Sequence, residues 1–185
     1  MTPIHPQHIT RALQHARTPE ETSALLNALA ASPGHLMTLG TTTAGRPLDA
    51  LVLGSGAPRT VVIGGAHANE PAGTAAVLTL ALHLTDSPHH PTGTWYLMPC
   101  LDPDGAARNP WRRLPSPTLA DYHAAFWRPA RAAHPEALLP TDSEPAPLPE
   151  TAALQRLLDT ARPHTLLTLH NSDTGGVFTI TTDPD

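Results

Sequence analysis

An α/β three-layer sandwich with a mixed, mostly parallel sheet is the fold this sequence predicts, and three observations predict it. Short apolar runs of strand length at residues 60–63, 94–98 and 165–169 alternate with segments of helical period, the pattern of a parallel sheet covered by helices. Two earlier apolar stretches, 35–41 and 47–54, flank Ala44-Gly45-Arg46 and read as an antiparallel hairpin at the sheet's edge. Finally, 185 residues with 40% hydrophobic content can bury one sizeable core but hardly two, so a single domain over 1–185 is expected.

In chain order, residues 1–34 form an N-terminal helical segment. Thr18-Pro19-Glu20-Glu21 supplies a cap, a proline suited to the first helical position and a capping-box carboxylate. That helix should run to about residue 31, with Leu25, Leu26 and Leu29 on one face and Ser32-Pro33-Gly34 ending it. The hairpin follows, then the buried strand 60–63, a helix over 71–84 and the strand 94–98, which leads into Pro99-Cys100-Leu101-Asp102-Pro103-Asp104-Gly105. Residues 108–149 are rich in proline, alanine and histidine without clean periodicity, and predict a long irregular excursion that could wall a cleft. Order returns with a helix over 149–160, whose Leu154, Leu157 and Leu158 recur at helical spacing, then the strand 165–169 and a last strand-like run at 177–182. No internal repeat is visible.

Composition excludes several classes of partner. Eleven basic residues, all arginine, stand against 16 acidic ones for a formal charge of −5, which argues against nucleic acid or an anionic membrane. A small or peptide-like ligand fits better. One cysteine, Cys100, excludes an internal disulfide and is expected as a small buried packing residue. The first residues lack the apolar stretch of a secretory signal, so the cytoplasm is the expected compartment. The longest apolar run, 75–84, is too short to cross a bilayer.

The chemistry concentrates where strands end. Val61-Val62-Ile63 runs into Gly64-Gly65-Ala66-His67-Ala68-Asn69-Glu70, and Leu166-Leu167-Thr168-Leu169 runs directly into His170. Ligand sites in open α/β sheets lie beyond the carboxyl ends of the strands. Two imidazoles and a carboxylate are the ligand set of a catalytic zinc that keeps a position open for water. Twelve histidines make a chance H-x-x-E unremarkable alone; the strand context of both histidines is what favours a metal.

These residues resemble the zinc metallocarboxypeptidases, a family that includes aspartoacylase-like and succinylglutamate desuccinylase-like relatives. Four elements match in order: His67-Ala68-Asn69-Glu70 to H-x-x-E, Asp102-Pro103-Asp104-Gly105 to N-P-D-G, Trp111-Arg112 to W-R, and Leu169-His170-Asn171 to the last ligand. The resemblance implies a zinc carboxypeptidase-like fold and cleavage of a peptide or amide bond by metal-activated water. It implies zinc held by His67, Glu70 and His170, and Arg112 directed at the scissile carbonyl oxygen; the residues alone also allow Arg112 to be a solvated charge beside Arg113. It further implies that Asp121 steadies the first zinc histidine and that Asn171 contacts substrate.

Two departures modify those expectations. The family's D-x-N-R-N becomes Asp121-Tyr122-His123-Ala124-Ala125, which removes the arginine that grips a terminal carboxylate. Either Arg128 or Arg131 takes its place or the substrate is not held by a free C-terminus, as in an acylated amino acid or a cell-wall peptide. No glutamate follows His170, so the family's general base is missing. That favours a longer protein or a zinc-binding module without efficient catalysis, with Asp173 an unplaced substitute.

Overall fold

A threonine that accepts from the amide three residues on, while the residue there reaches back, nucleates a helix from purely local chemistry. Thr18 and Glu21 do this at the start of α2 (Pro19–Ala30), with both reciprocal hydrogen bonds at 3.1 Å. Before it lies α1 (Pro6–His15), capped by His5. The computed structural model describes residues 3–31, 34–86, 92–136, 147–171 and 179–182. After the two helices come β1 (His35–Thr41), β2 (Pro47–Ser55), β3 (Arg59–Ile63), α3 (Pro71–Asp86), β4 (Gly93–Met98) and the short α4 (Pro103–Ala107). The excursion contains a 3-10 turn at Pro110–Arg113, the seven-residue α5 (Leu119–Ala125) and a second 3-10 turn at Arg131–Ala133. Its described residues are therefore less irregular than expected, in part because Thr118 and Asp121 form a second capping box. The chain returns to the sheet through α6 (Pro149–Ala161) and β5 (Thr165–Thr168).

The five strands form one mixed sheet in the order β1-β2-β4-β3-β5. The first two pairings are antiparallel and the last two parallel, so the hairpin edges a parallel β4-β3-β5 unit. Alternation along the strands sorts the core into two layers. Val62, Leu97, Leu51 and Leu53 pack with Leu78, Leu82 and Leu25 beneath α1, α2 and α3. Val61, Ile63, Met98 and Ala50 pack with Leu154 and Leu157 of α6 on the other face. Val77, Leu78 and Leu82 of α3 are fully buried. At about 1.5–3 kcal/mol each, they hold that helix in place far more strongly than any cap could. The α/β three-layer sandwich is thus present.

One strand expectation fails within the described residues. Of the run 177–182, residues 177–178 lie outside the described residues, and 179–182 are irregular. Ile180 is 87% exposed, so no neighbouring surface there rewards an extended conformation. Asp173 also lies outside the described residues. No helix among the described residues is long and apolar enough to cross a membrane.

Candidate metal centre

The site is made by backbones that approach closely. Past the end of the sheet, Leu101 and Asp102 donate their amides to the carbonyls of Gly64 and Gly65 at 3.0 and 2.9 Å, and the Leu169 amide bonds the Ile63 carbonyl at 2.9 Å. The three parallel strand ends therefore stay zipped together. Gly64 lies against the backbone of Gly73, and a Cβ on Gly73 would collide with the Leu169 carbonyl. Glycine at both positions lets the first turn of α3 sit directly on the ends of β3 and β5. His67 and Glu70, on the loop between β3 and α3, are carried to within reach of His170.

The donor atoms of His67, Glu70 and His170 all lie within 4.8 Å of one another. His67 Nδ1 is 2.7 Å from Glu70 Oε1, and His170 Nδ1 is 2.9 Å from Glu70 Oε2. The two Nδ1 atoms are 3.2 Å apart. Two nitrogens bound tetrahedrally at the usual zinc distance would be separated by about 3.3 Å, so the spacing of the two imidazoles fits a zinc ion, while the carboxylate now bridges them by hydrogen bonds. Glu70 is only 6% exposed. Burial pushes its carboxyl upward, but hydrogen bonds from His170 and His67, the charge of His67 and the Asn171 amide at 3.2 Å outweigh it and hold the group down at about 2. A buried carboxylate kept ionised beside two imidazoles is ready for a cation.

Arg128 joins this group. Its Nη2 lies 3.0 and 3.1 Å from the ring nitrogens of His67, and its Nη1 lies 3.5 Å from Glu70 Oε1. With Arg131, Pro129, His134 and His67 it lines a cavity of about 420 Å³. His134, buried, packs edge-on to His67 with ring centroids 4.9 Å apart. Burial lowers its pKa, and the neighbouring charges of His67 and Arg128 lower it further.

Two other expected residues are engaged elsewhere. Arg112 is 5% exposed and donates to the carbonyls of Ala68 at 3.1 Å and Ala16 at 2.7 Å. Its guanidinium is a buried tie under the His67–Glu70 loop instead of a group directed at a substrate carbonyl. Asp121 accepts from the amide and hydroxyl of Thr118 at 2.8 and 2.6 Å, so its carboxylate caps α5 and does not support His67. Asn171 is beside the centre, but its side-chain oxygen accepts from the Ala72 amide at the start of α3, 3.3 Å away.

The aspartates of the D-P-D-G turn divide their work in the same structural manner. Asp102 caps α4 through the Gly105 amide at 2.7 Å, and Asp104 ties α4 to the hairpin turn through Thr42 and Arg46, both at 2.8 Å. Cys100 is partly exposed, although burial of its sulfur pushes the thiol up to about 12. Sequence reasoning overlooked Asn109, His134 and Glu136. Asn109, 1% exposed, donates to the carbonyls of Ala68, Gly105 and Trp127 and accepts from Trp111 and Trp127. Its only sequence signal is a position just before a proline. Glu136 Oε2 lies 3.4 Å from His170 Nε2, a contact between residues far apart in the chain.

A two-histidine, one-carboxylate centre at the carboxyl ends of a mixed sheet, beneath an arginine-bearing wall, defines the class: an α/β protein with a zinc-type metal site. The family follows from the sequence, which matches the zinc carboxypeptidase model over residues 22–179. The chain belongs to the zinc carboxypeptidase family, and that family uses zinc. Among solved structures it is similar to thrombin-activatable fibrinolysis inhibitor, at 14% identity and a TM-score of 0.60, covering 82% of this chain and 48% of that one. The bovine form, solved with tick carboxypeptidase inhibitor, shares 18% identity with a TM-score of 0.61 over 84% of this chain and 60% of that one. A putative carboxypeptidase A from Shewanella denitrificans shares 19% identity with a TM-score of 0.60, over 83% and 39%. At these identities the likeness shows the fold, and the chain spans roughly 39 to 60% of the length of these structures. Among curated proteins none matches.

Proposed function

We propose that this chain carries the zinc-holding part of a hydrolase that cleaves a peptide or amide bond next to a carboxylate-bearing residue. The convergence of His67 Nδ1, Glu70 and His170 Nδ1 within 4.8 Å is the observation that carries the reading. Zinc held there would supply Lewis acidity, polarising a carbonyl and bringing the pKa of water down to about 7. Glu70 offers that ion a carboxylate already ionised and shielded from solvent. Arg128, at the mouth of the centre, would orient a substrate carboxylate or a carbonyl that gains negative charge, and Arg131 lines the same cavity. A guanidinium fork recognises a carboxylate in two-point fashion. Both a peptide and an N-acylated amino acid can present such a group, which keeps the amidohydrolase reading alongside the carboxypeptidase one.

Zinc per chain, measured after dialysis of wild type, Glu70→Ala and His170→Ala, tests the centre. One equivalent in wild type, lost in both variants, supports it, and none in wild type overturns it. Hydrolysis of free-acid peptides, the same peptides amidated at the C-terminus, and N-acyl amino acids then tests the reaction. Preference for the free acids supports the arginine wall. Full zinc with no turnover on any of them points to a zinc-holding recognition module instead.

A further inference from the structure

We propose that Glu136 is the positioning residue for the metal ligand His170, accepting the Nε2–H of its ring so that the lone pair of Nδ1 faces His67 and Glu70. The inference rests on the zinc reading above and adds a residue to it.

The geometry begins with the ring. A neutral imidazole carries one N–H, and the group met by one nitrogen decides which nitrogen is free to bind a cation. His170 meets carboxylates on both edges: Nδ1 is 2.9 Å from Glu70 Oε2, and Nε2 is 3.4 Å from Glu136 Oε2. Because Nδ1 points into the donor set, Nε2 points away from it. Glu136 therefore meets the edge of the ring that faces away from the donor set, where it can orient the ligand.

Glu136 is also held in place. The Thr151 hydroxyl of α6 bonds the carbonyl of Pro135 at 2.9 Å, and Thr151 is fully buried. On the other side, buried His134 donates through Nε2 to the Pro129 carbonyl at 3.0 Å and packs against His67. The second oxygen of Glu136, Oε1, is buried without a partner among the described residues. Such a placement is costly for a carboxylate and has no local structural return. His67 provides the contrast. Its Nδ1 also faces Glu70, at 2.7 Å, but the neighbour of its Nε2 is the cationic Arg128 at 3.1 Å, and Asp121 is spent on Thr118. Among the described residues, a carboxylate on the Nε2 side thus falls to the last histidine, not to the first.

The test uses the full chain as wild type, Glu136→Ala and Glu136→Gln. Zinc affinity is measured by competition with a chromophoric chelator, cobalt(II) is substituted to record its visible spectrum, and far-UV circular dichroism with melting is taken on the metal-free proteins. The expected result is a zinc affinity 10- to 100-fold weaker in Glu136→Ala, an altered cobalt spectrum, a smaller loss in Glu136→Gln and an unchanged metal-free far-UV spectrum. Wild-type zinc binding with an unaffected Glu136→Ala overturns this inference alone, whereas a wild type that binds no zinc overturns the centre itself. If Glu136→Ala does not fold, ring-nitrogen NMR of the zinc-loaded wild type decides the matter. A proton on Nε2 of His170 supports the inference, and a proton on Nδ1 overturns it.

Discussion

Arg112 donates to two backbone carbonyls from a position only 5% exposed, so truncating it would strand both acceptors and leave a void. Arg112→Ala should cost about 2–4 kcal/mol of unfolding free energy, read from denaturant titration. If stability stays within experimental error while turnover collapses, the buried-tie description is wrong. Arg128 should behave oppositely. It lies at the mouth of the cavity, its side chain 34% exposed, and among the described residues no backbone carbonyl depends on it. Arg128→Ala should leave melting and zinc content near wild type and raise KM for carboxylate-bearing substrates at least tenfold; equal KM for free-acid and amidated substrates in wild type would remove it from recognition. The two arginines show what local pattern conveys. Trp111-Arg112 resembles a family motif, but nothing in those letters reveals that the guanidinium lies under a loop contributed by residues near 68.

At the scale of elements, the centre depends on how closely α3 approaches β3 and β5. Gly73→Ala would force the α3 backbone away from the Leu169 carbonyl. The helix that follows Glu70 and the strand that precedes His170 would then separate. Zinc affinity should fall by at least tenfold and the melting temperature should drop; wild-type affinity in this variant would mean that the loop absorbs the shift without moving the ligands. Elements with local causes were legible. The Thr18-x-x-Glu21 box predicted α2, and the hydrophobic runs predicted the strands. The same box at Thr118-x-x-Asp121 was equally readable, yet resemblance to a longer motif drew Asp121 toward the metal. The capping chemistry, complete within four residues, decided its place. The excursion was opaque because the side chains that matter in it, Asn109, Arg128, His134 and Glu136, act on residues far away in the chain.

For the whole molecule, protons and metal compete for one set of atoms. Glu136 first, then Glu70, raise His170 from 6.5 to about 9 in the metal-free chain, while Glu70 falls from 4.5 to about 2. A raised histidine contributes stability that is complete below its unfolded value and lost as pH rises through its folded one. A lowered carboxyl contributes stability present above its unfolded value and lost as pH falls through its folded one. The metal-free protein should therefore be stabilised most by this group between about pH 4.5 and 6.5, losing that contribution toward pH 9 and toward pH 2. Zinc needs the unprotonated ring, so its affinity should increase from pH 6 to 9. Saturating zinc should then offset the alkaline loss, by about 2.7 kcal/mol at a hundredfold excess over Kd. Melting curves with and without zinc across pH 5 to 9 measure this. A metal-free melting temperature that is flat over that range would refute the His170 pairing.

The amino-acid sequence by itself determined the layered α/β plan, the ends of most helices and strands, and which two histidines and one carboxylate could hold a metal, since each was written in short-range patterning or in a strand that runs straight into a histidine. The tertiary structure alone decided what Arg112, Asp121, Arg128 and Glu136 touch. Burial and pairing across the chain depend on close backbone approaches such as Gly64 to Gly73, which set where a side chain ends up and which no single stretch of sequence encodes.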